Sequence, residues 1–369
     1  MAHALRLAAR GLGRTWPNPA VGCVILRDGR VLGRGWTQPG GRPHAETMAL
    51  GQAGDASGAT AYVTLEPCAH HGRTPPCAEA LIAARVARVV TATTDPDPRV
   101  SGRGHAMLRA TGIAVTEGIL RPEAERLNAG FLSRIRRGTP HVTLKLAVSL
   151  DGRIANAAGA SKWITGPAAR ARVHALRAAH DAVMVGIGTA LADDPDLTVR
   201  DLGITHQPVR IVLDSQLRLP PEGRLARSAR TVPVWLVHAD TAPLPAALAA
   251  KGITGIPCST DPAGRIELRD ALARLAARGL TRIFCEGGAG VAASLLAGQH
   301  VGDVITFTAG HVFGAQGTPA LGPLPGSLVL PPPGFSLFQA EPVGPDLMHV
   351  WRPQRPQILI PDGSNILGG

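Results

Sequence analysis

The sequence predicts an α/β protein of two halves, each a layered fold with a mostly parallel sheet. Apolar residues make up 45% of the 369 residues and charged residues 18%, which is enough for a buried core in each half. Short apolar runs typical of strands alternate with runs of helical period as far as residue 308. No internal repeat is found, and no stretch of eighteen apolar residues lacks a charge, Gly or Pro, so no spanning helix is predicted.

The first half is predicted to start with a helix over residues 2–10 and a β-hairpin whose turn is Asp28-Gly29. The arginines of this first helix interrupt its apolar positions, which is typical of an amphipathic helix and not of a signal peptide. We therefore expect a cytoplasmic protein. The other predicted elements are strands at 21–26, 31–36, 60–65 and 86–91, helices from 44 and at 78–85, and a helix and strand within 105–116.

A polar stretch of helical period at 122–138, ending in the basic string RIRRG, is the predicted linker. We place a first domain at 1–138, a second at 139–354 and a tail at 355–369. The second domain is predicted to have strands at 144–150, 182–186, 209–213, 232–238, 281–285 and 301–308, and helices at 167–179, 268–278 and 290–297, before a Pro/Gly-rich region with short β-like runs.

The net charge of +11 is concentrated in the first half, where 18 Lys and Arg face 10 Asp and Glu. A general Arg-rich composition explains most of this excess, and phosphorylated small substrates explain the rest as well as RNA does. Aromatic residues are only 3% of the chain, with Tyr62 the single tyrosine, so platforms for base stacking are scarce. We expect no nucleic-acid partner and no membrane partner.

The strongest motif is His44-Ala45-Glu46, followed by Pro67-Cys68 and then Cys77. One imidazole and two thiolates are a typical ligand set of a catalytic zinc that keeps one position open for water. Glu46 lies two residues from His44, where its carboxylate can reach that water and move its proton without binding the metal. Nucleobase deaminases carry H-x-E…P-C-x-x-C, whereas eight residues separate the two cysteines in this chain.

Two alternatives to a catalytic zinc remain open from these residues alone. His70 or His71 could supply a fourth ligand and close a structural site, or the three residues could be unrelated. The other thiols, Cys23, Cys258 and Cys285, lie in or beside apolar runs and are predicted to be core residues. Five cysteines are an odd number, which argues against a framework of disulfides.

The motifs TWPNPAVGCVI, GGRPHAE, YVTLEPCAHHGRTPPC and TTDPDP resemble the deaminase half of the bifunctional riboflavin-biosynthesis deaminase/reductases, members of the cytidine-deaminase-like superfamily. The long insertion between the cysteines is this family's pattern. The resemblance implies a three-layer domain with His44, Cys68 and Cys77 as zinc ligands and Glu46 as proton donor. It also implies that Asn18, His70 and the following loop to Thr74 line the pyrimidine pocket. Thr37 departs from the pattern, where His often follows Gly-Trp.

The second half carries a Gly-rich turn, residues 285–290, between a strand-like run and a helical run. Such a turn can bind phosphate through backbone N–H groups, although a simple tight turn is an equal alternative. The runs LKLAVSLDGRIA, GASKWITG, ALRAAHDAVMVGIGTALADDPDLTVR, PVRIVLDSQLRLP and CEGGAG resemble, in this order, the reductase half of the same family. That half has a fold similar to dihydrofolate reductase and uses NADPH.

The resemblance implies two sets of residues in the reductase site. The cofactor set is Ala147, Trp163, Thr189, Asp193, Ser215, Gly288, Ala289, Gly290, Val291, Ala292, Ala293 and Ser294. The substrate set is Ser161, Arg177, Leu197, Arg200 and Glu286. Either arginine alone could instead form a surface ion pair, and Asp193-Asp194-Pro195 could be a helix C-terminal turn or a helix N-cap. Lys145, a lone charge in an apolar strand, is predicted to polarise or protonate the sugar carbonyl.

We therefore expect a zinc-dependent deaminase of a phosphorylated diaminopyrimidine joined to an NADPH-dependent reductase of its sugar, assembled as a homodimer or homotetramer as the resemblance implies. Two other classes are compatible with parts of the sequence. A tRNA or nucleoside deaminase with a basic domain would bind RNA in a salt-sensitive way. A zinc-stabilised nucleic-acid-binding protein would have a closed site of four ligands.

Overall fold

The computed structural model describes residues 1–70, 75–97, 101–324 and 334–354. The tail at 355–369 and the loop residues 71–74 lie outside this range. The elements of the first half are α1 (Ala2–Ala8), β1 (Gly22–Arg27), β2 (Arg30–Trp36), α2 (Ala45–Ala53), β3 (Thr60–Val63), α3 (Cys77–Ala83), β4 (Arg88–Thr91), α4 (Arg103–Ala110), β5 (Ala114–Thr116), α5 (Arg121–Leu127) and α6 (Ala129–Arg137).

The first half forms one five-stranded sheet in the order β2-β1-β3-β4-β5. The pairs β3–β4 and β4–β5 are parallel, but β1 is antiparallel to both β2 and β3. The sheet is therefore mixed, where the sequence predicts a mostly parallel one, because the hairpin at Asp28-Gly29 reverses the chain before β2. Both turn residues have positive φ, as a two-residue hairpin turn requires.

The second half has a larger sheet and more helices and strands. These are β6 (His141–Ser149), β7 (Arg153–Ala155), α7 (Pro167–Ala178), β8 (Ala182–Gly186), α8 (Ile187–Asp193), β9 (Val209–Leu213), α9 (Arg224–Arg227), β10 (Val234–Ala239), α10 (Ala246–Ala250), β11 (Thr254–Cys258), α11 (Leu268–Ala277), β12 (Arg282–Gly287), α12 (Ala289–Ala297), β13 (Val301–Ala309), β14 (Thr318–Pro319), β15 (Phe335–Val343) and β16 (Asp346–Pro353).

Nine of these strands form one sheet in the order β11-β10-β9-β8-β12-β6-β13-β16-β15. The seven strands from β11 to β13 are parallel, and β16 and β15 continue the sheet as an antiparallel pair. Every residue of β8 and β9 is buried, as expected for parallel strands that are covered by helices on both faces. The apolar run of β8 made that strand predictable, and so did the mainly apolar run of β9, which contains the buried Arg210.

The three largest hydrophobic cores follow this division of the chain. One core fills the first half, and two lie in the second half, one of them containing Val142, Met184 and Ile283. Cys23, Cys258 and Cys285 are buried thiols, in agreement with the sequence prediction. Among the described residues, no helix is long and apolar enough to cross a bilayer.

Candidate active sites

Three side chains that can bind a metal meet in the first half, each from the end of an element. His44 immediately precedes α2, Cys68 follows β3, and Cys77 is the first residue of α3. The distance from His44 Nδ1 to Cys77 Sγ is 3.2 Å, and that to Cys68 Sγ is 3.7 Å. All three ligand atoms lie within 4.8 Å of one another. The structure therefore brings together the three residues that the motif predicts as ligands.

Two hydrogen bonds from Cys77 end at Cys68 Sγ, and a cation bound to the cluster would displace the thiol proton of one of them. The Cys77 thiol and the Cys77 backbone N–H, at 3.2 Å, donate to Cys68 Sγ. These bonds, together with His44, lower the pKa of Cys68 to about 4 against the opposing effect of burial. The pKa of Cys77 is raised, because its proton is held by Cys68 and because the thiol is buried. Metal binding displaces such a proton and makes both sulfurs thiolates.

The cluster fits zinc in both chemistry and spacing. Tetrahedral zinc, with bonds of about 2.0–2.3 Å to nitrogen and sulfur, places its ligand atoms about 3.3–3.8 Å apart. A nitrogen and a sulfur bound to one tetrahedral zinc lie about 3.5 Å apart, and the two distances from His44 Nδ1 to the sulfurs, 3.2 and 3.7 Å, lie on either side of that value. Among the described residues, the cluster has three protein ligands and no fourth. This count favours a catalytic zinc over the structural site in which His70 would be a ligand.

Glu46 lies in the first turn of α2, and its side chain is buried beside the cluster. Burial and the neighbouring Cys68 raise the pKa of Glu46 to about 7, while its hydrogen bond with Cys77 opposes the shift. A carboxyl group with a pKa near 7 can accept and release a proton at neutral pH. The position of Glu46, buried in the first turn of α2 and hydrogen-bonded to Cys77, suits the predicted proton-transfer role.

Of the residues predicted to line the pyrimidine pocket, Asn18 and His70 are among the described residues, and both lie outside helices and strands. A Cβ at Gly41 would lie only 2.0 Å from Asn18 Nδ2, so the Asn18 side chain covers the loop that leads to His44. His70 Nδ1 is buried and has no hydrogen-bond partner among the described residues. Thr37 does not face an open site: its hydroxyl oxygen accepts from Val21 N at 2.9 Å.

Glu66 is a residue of this site that sequence reasoning missed. Its buried carboxylate accepts hydrogen bonds from four backbone N–H groups, those of Asp95, Gly102, Gly104 and His105. These bonds fix the loop after β4 beside Cys68, where burial raises the pKa of Asp95 to about 6. The available signal was a carboxylate between a buried strand and the ligand Cys68, in the string Glu-Pro-Cys.

In the second half, the predicted cofactor residues gather at the carboxyl edge of the parallel sheet. Thr189 follows β8, Ser215 follows β9, and Gly288 follows β12. The strands β9, β8 and β12 are consecutive in the sheet, so these three residues lie along one edge. In open α/β sheets, ligands bind outside the carboxyl ends of the strands.

The Gly-rich turn after β12 has a backbone that favours glycine. Gly287 and Gly288 both have φ near +90°, and Gly288 is the residue before α12. A Cβ at Gly288 would lie 3.2 Å from Thr189 Oγ1, so the turn is also crowded. A turn of this kind leaves backbone N–H groups free for phosphate and fits the pyrophosphate of NADPH. The side chains of Ala292 and Ala293 are buried, and Ser294 is exposed.

Lys145, Arg177 and Glu286 form a charged group beside this turn. Lys145 lies on β6 and Glu286 near the end of the adjacent β12. Both oxygens of Glu286 are bound by Arg177, through Nε and, at 2.9 Å, through Nη2. Arg177 Nη1 also donates to the carbonyl oxygen of Thr198 at 2.8 Å. Arg177 is thus already paired, and it holds Glu286 in place.

Charge and burial act in opposite directions on this group. Burial lowers the pKa of Lys145, and the nearby Glu286 partly offsets that effect. Burial also opposes ionisation of Glu286, but Arg177 outweighs it and lowers the pKa of Glu286. Among the described residues, Lys145 forms no ion pair, whereas Arg177 and Glu286 are paired with each other. Its ammonium group is therefore suited to donate to a ligand atom.

The remaining predicted residues of this half have varied environments. Trp163 is 68% exposed, with the Arg170 guanidinium 4.8 Å from its ring centre. Leu197 is buried and has φ of +54°, which is uncommon for leucine. Arg200 is exposed and pairs with Asp196 at 3.2 Å. Ala147, Ser161 and Asp193 are half-buried. Asp194, the residue after Asp193, is the C-cap of α8, as the alternative interpretation of a helix C-terminal turn predicts.

The fold and the two sites define a bifunctional enzyme, a zinc-dependent deaminase joined to a reductase. Two family models match the chain: the "cytidine and deoxycytidylate deaminase zinc-binding region" at residues 1–93 and the "RibD C-terminal domain" at 140–348. Zinc and NADPH are the cofactors that fit these two domains. The predicted fold class is confirmed.

Relatives match over nearly the whole chain. The chain is 43% identical to riboflavin biosynthesis protein RibD of Escherichia coli (strain K12), covering 94% of this chain and 96% of that protein. It is 41% identical to the Haemophilus influenzae RibD, covering 96% of each. An Acinetobacter baumannii RibD structure has a TM-score of 0.85 at 39% identity, covering 96% of this chain and 97% of that one.

A structure from Thermotoga maritima, described as a diaminohydroxyphosphoribosylaminopyrimidine deaminase/5-amino-6-(5-phosphoribosylamino)uracil reductase, has a TM-score of 0.85 at 35% identity. The match covers 96% of this chain and 97% of the Thermotoga maritima chain. The chain belongs to the RibD family of bifunctional deaminase/reductases of riboflavin biosynthesis.

Proposed function

We propose that this enzyme deaminates 2,5-diamino-6-(5-phosphoribosylamino)pyrimidin-4-one and then reduces the ribosyl group of the product to a ribityl chain with NADPH. The observation that carries the proposal is the cluster of His44, Cys68 and Cys77 with the protonatable Glu46 beside it. The description of the Thermotoga maritima relative, which names both activities, supports the choice of substrate.

For deamination, His44, Cys68 and Cys77 would hold the zinc. When bound, zinc lowers the pKa of a water molecule and makes it a nucleophile near neutral pH. Glu46 accepts the proton of the attacking water and delivers it to the amino group, which leaves as ammonia. Asn18 and His70 hold the pyrimidine in place.

For reduction, the edge formed by Ala147, Trp163, Thr189, Asp193, Ser215 and residues 288–294 would hold NADPH, which supplies a hydride when bound. Lys145 donates a proton to the sugar oxygen as the hydride arrives. The remaining substrate contacts that we propose are Ser161, Arg177, Leu197, Arg200 and Glu286. Of these, Glu286 is oriented by Arg177, so the two act as one unit.

The test is to incubate the protein with the diaminopyrimidine phosphate, with and without NADPH. We expect ammonia release in both samples and loss of NADPH absorbance in one. A nucleoside or tRNA deaminase would release ammonia from its own substrate with no use of NADPH, and a nucleic-acid-binding protein would give neither signal. Absence of both signals would contradict the proposal.

We further propose domain boundaries at 1–138 and 139–354, a cytoplasmic location, and a homodimer or homotetramer. The edge strand β15 supports self-association, because Leu337 and Phe338 are each 51% exposed there. Sedimentation velocity of the purified protein tests the assembly, and a monomer at micromolar concentration would contradict it.

A further inference from the structure

Residues 12–20, which we call the junction segment, connect α1 and its following turn to β1 and contact the second half of the protein. A Cβ at Gly13 would lie 2.3 Å from the carbonyl oxygen of Ala178, so this backbone packs directly on the end of α7. The carbonyl oxygen of Gly13 accepts a hydrogen bond of 2.6 Å from His206 Nε2. These contacts fix the start of the junction segment to the second half.

Trp16 fixes the middle of the junction segment. Its partly buried ring packs against the largest hydrophobic core of the second half. A Cβ at Gly279 would lie 3.4 Å from Trp16 Cε3 and 3.3 Å from Pro17 Cβ, so the two halves touch closely here. The position of the indole is therefore set by residues of the second half.

Asn128 fixes the end of the junction segment through both atoms of its buried amide. Its Oδ1 accepts from Ala20 N at 2.9 Å, and its Nδ2 donates to Ala20 O at 3.0 Å. The carbonyl oxygen of the preceding Leu127 accepts from Arg282 Nη1 at 3.2 Å. Arg282 begins β12, so the corner between α5 and α6 connects the junction segment to the central sheet of the second half.

Asn18 lies between these fixed points, and its side chain reaches the loop that leads to the metal ligand His44. Its backbone N–H donates to Thr15 O at 2.9 Å, and its side chain covers Gly41, three residues before His44. The junction segment has no helix or strand of its own. Contacts with neighbouring elements must therefore supply the free energy that orders it, against the loss of conformational entropy.

We propose that the second half positions Asn18 for deamination, with Trp16 and Asn128 as positioning residues. The Michaelis constant of the deaminase then depends on contacts between the two halves, although the metal ligands all belong to the first half. This inference rests on the proposed function, in which Asn18 holds the pyrimidine. It concerns substrate binding and leaves the zinc cluster and Glu46 unaffected.

The test is Trp16→Ala in the full-length, zinc-loaded enzyme. We expect the KM for the diaminopyrimidine to rise about tenfold with kcat unchanged, as when a contact equally present in ground and transition states is lost. Zinc content and the kinetics of reduction should stay at parent values. Trp16→Phe should restore most of the affinity, because a phenyl ring reaches the same core.

Two further variants separate positioning from simple destabilisation. Trp235→Ala removes an indole packed on the same core but located on β10, so it should reduce stability and leave the deaminase KM unchanged. Asn18→Ala should raise KM like Trp16→Ala, and the double variant should be no worse than Asn18→Ala alone. If Trp16→Ala does not fold, Asn128→Ala is expected to give the same rise in KM.

Each outcome decides between the two proposals. A parent enzyme that does not deaminate the diaminopyrimidine overturns the proposed function and this inference together. An active parent whose KM is unaltered by Trp16→Ala and Asn128→Ala overturns the inference alone. Additive effects of Trp16→Ala and Asn18→Ala also overturn it, because Trp16 would then not act through Asn18.

Discussion

At the scale of single residues, the carboxyl group of Glu46 should control deamination. Glu46→Gln retains the shape of the side chain but cannot transfer a proton, so we expect deaminase kcat to fall about a thousandfold. Zinc content, measured by elemental analysis, should be unchanged. Reduction of supplied deaminated product serves as the internal control, and an equal loss of both activities would contradict the assigned role.

Lys145 should have the converse effect. Lys145→Met removes the ammonium group but keeps most of the buried aliphatic volume, so we expect NADPH oxidation to slow about a hundredfold while deamination stays at the parent rate. The measurement is NADPH consumption at saturating deaminated product. Normal reduction with normal affinity would remove Lys145 from the mechanism.

The residues of the deaminase site differed in how far they could be predicted. His44, Cys68 and Cys77 were predictable because thiols and an imidazole placed at the ends of buried elements have few other uses. The role of Glu66 was not predictable, because the N–H groups that it binds belong to Asp95 and to the N-terminus of α4, far along the chain, and no local pattern brings them to Glu66. The pairing of Arg177 with Glu286 likewise depends on the packing of α7 against β12.

At the scale of elements, the short connection between α7 and β8 should make the free energy of unfolding sensitive to acid. His180 there is buried, and its nitrogens contact Leu176 O at 2.7 Å and Thr143 Oγ1 at 2.9 Å. Burial lowers the pKa of His180 from its ordinary 6.5 to about 3. Between these two pKa values the unfolded chain binds a proton at His180 and the folded protein does not. The contribution of His180 to the free energy of unfolding is therefore complete above about pH 6.5 and is lost as the pH falls towards about 3.

We expect this group alone to reduce the free energy of unfolding by about 2 kcal/mol between about pH 7 and about pH 5. Urea unfolding at the two pH values measures the change. In His180→Gln, which keeps polar atoms in place but does not titrate, the decrease between the two pH values should be smaller by about that amount. An identical decrease in parent and variant would rule out His180 as the cause.

The turn between β12 and α12 should be intolerant of a side chain. Gly288→Ala forces an L-residue to a φ of +93° and places its Cβ 3.2 Å from Thr189 Oγ1. We expect the KM for NADPH to rise about tenfold or more, because a backbone strain of about 1–3 kcal/mol is relieved by distorting the turn. Deamination should be unaffected.

Gly264→Ala is the matched control for this variant. Gly264 also has a positive φ, of +73°, but nothing lies within 4 Å of a Cβ there, and it is in a turn after β11. Its substitution should reduce stability through backbone strain at its own positive φ and leave the KM for NADPH unchanged. A similar rise in KM for both variants would show that strain alone, at any glycine, weakens the reductase.

Most elements were predictable, and the exceptions have physical reasons. Apolar runs with the period of a strand or helix predicted β8, β9 and α11. The strand β11 was missed because Gly255 and Pro257 interrupt it; proline is tolerated there since β11 is at the edge of the sheet. The strands β15 and β16 are much longer than the short β-like runs expected, because their pairing with each other and with β13 overrides weak local preference.

At the scale of the whole molecule, removing the metal should separate the two activities. All three ligands belong to the first half, whereas the reductase residues lie in the second. Dialysis against a chelator should abolish ammonia release, and added zinc should restore it, while reduction of supplied product persists throughout. Loss of reduction together with deamination would contradict this independence of the reductase from the metal.

The arrangement of the halves was the least predictable feature. The polar stretch at 122–138 is predicted as a linker of helical period, and it forms α5 and α6. Its packing on the second half was not predicted: a Cβ at Gly130 would lie 2.6 Å from the carbonyl oxygen of Thr281. A sequence pattern reports the polarity of a helix face but not which distant surface covers it. The contact between Trp16 and the core of the second half was unpredictable for the same reason.

The position of β6 in the sheet has a consequence for synthesis of the chain. β6 is the first strand of the second half, but its two neighbours in the sheet are β12 and β13, which come near the end of that half. On the ribosome, this apolar strand must therefore wait unpaired while the intervening helices and strands emerge. Long-range parallel strand pairs form slowly and leave hydrophobic surface exposed in the meantime. We therefore expect the nascent chain to need chaperones during folding.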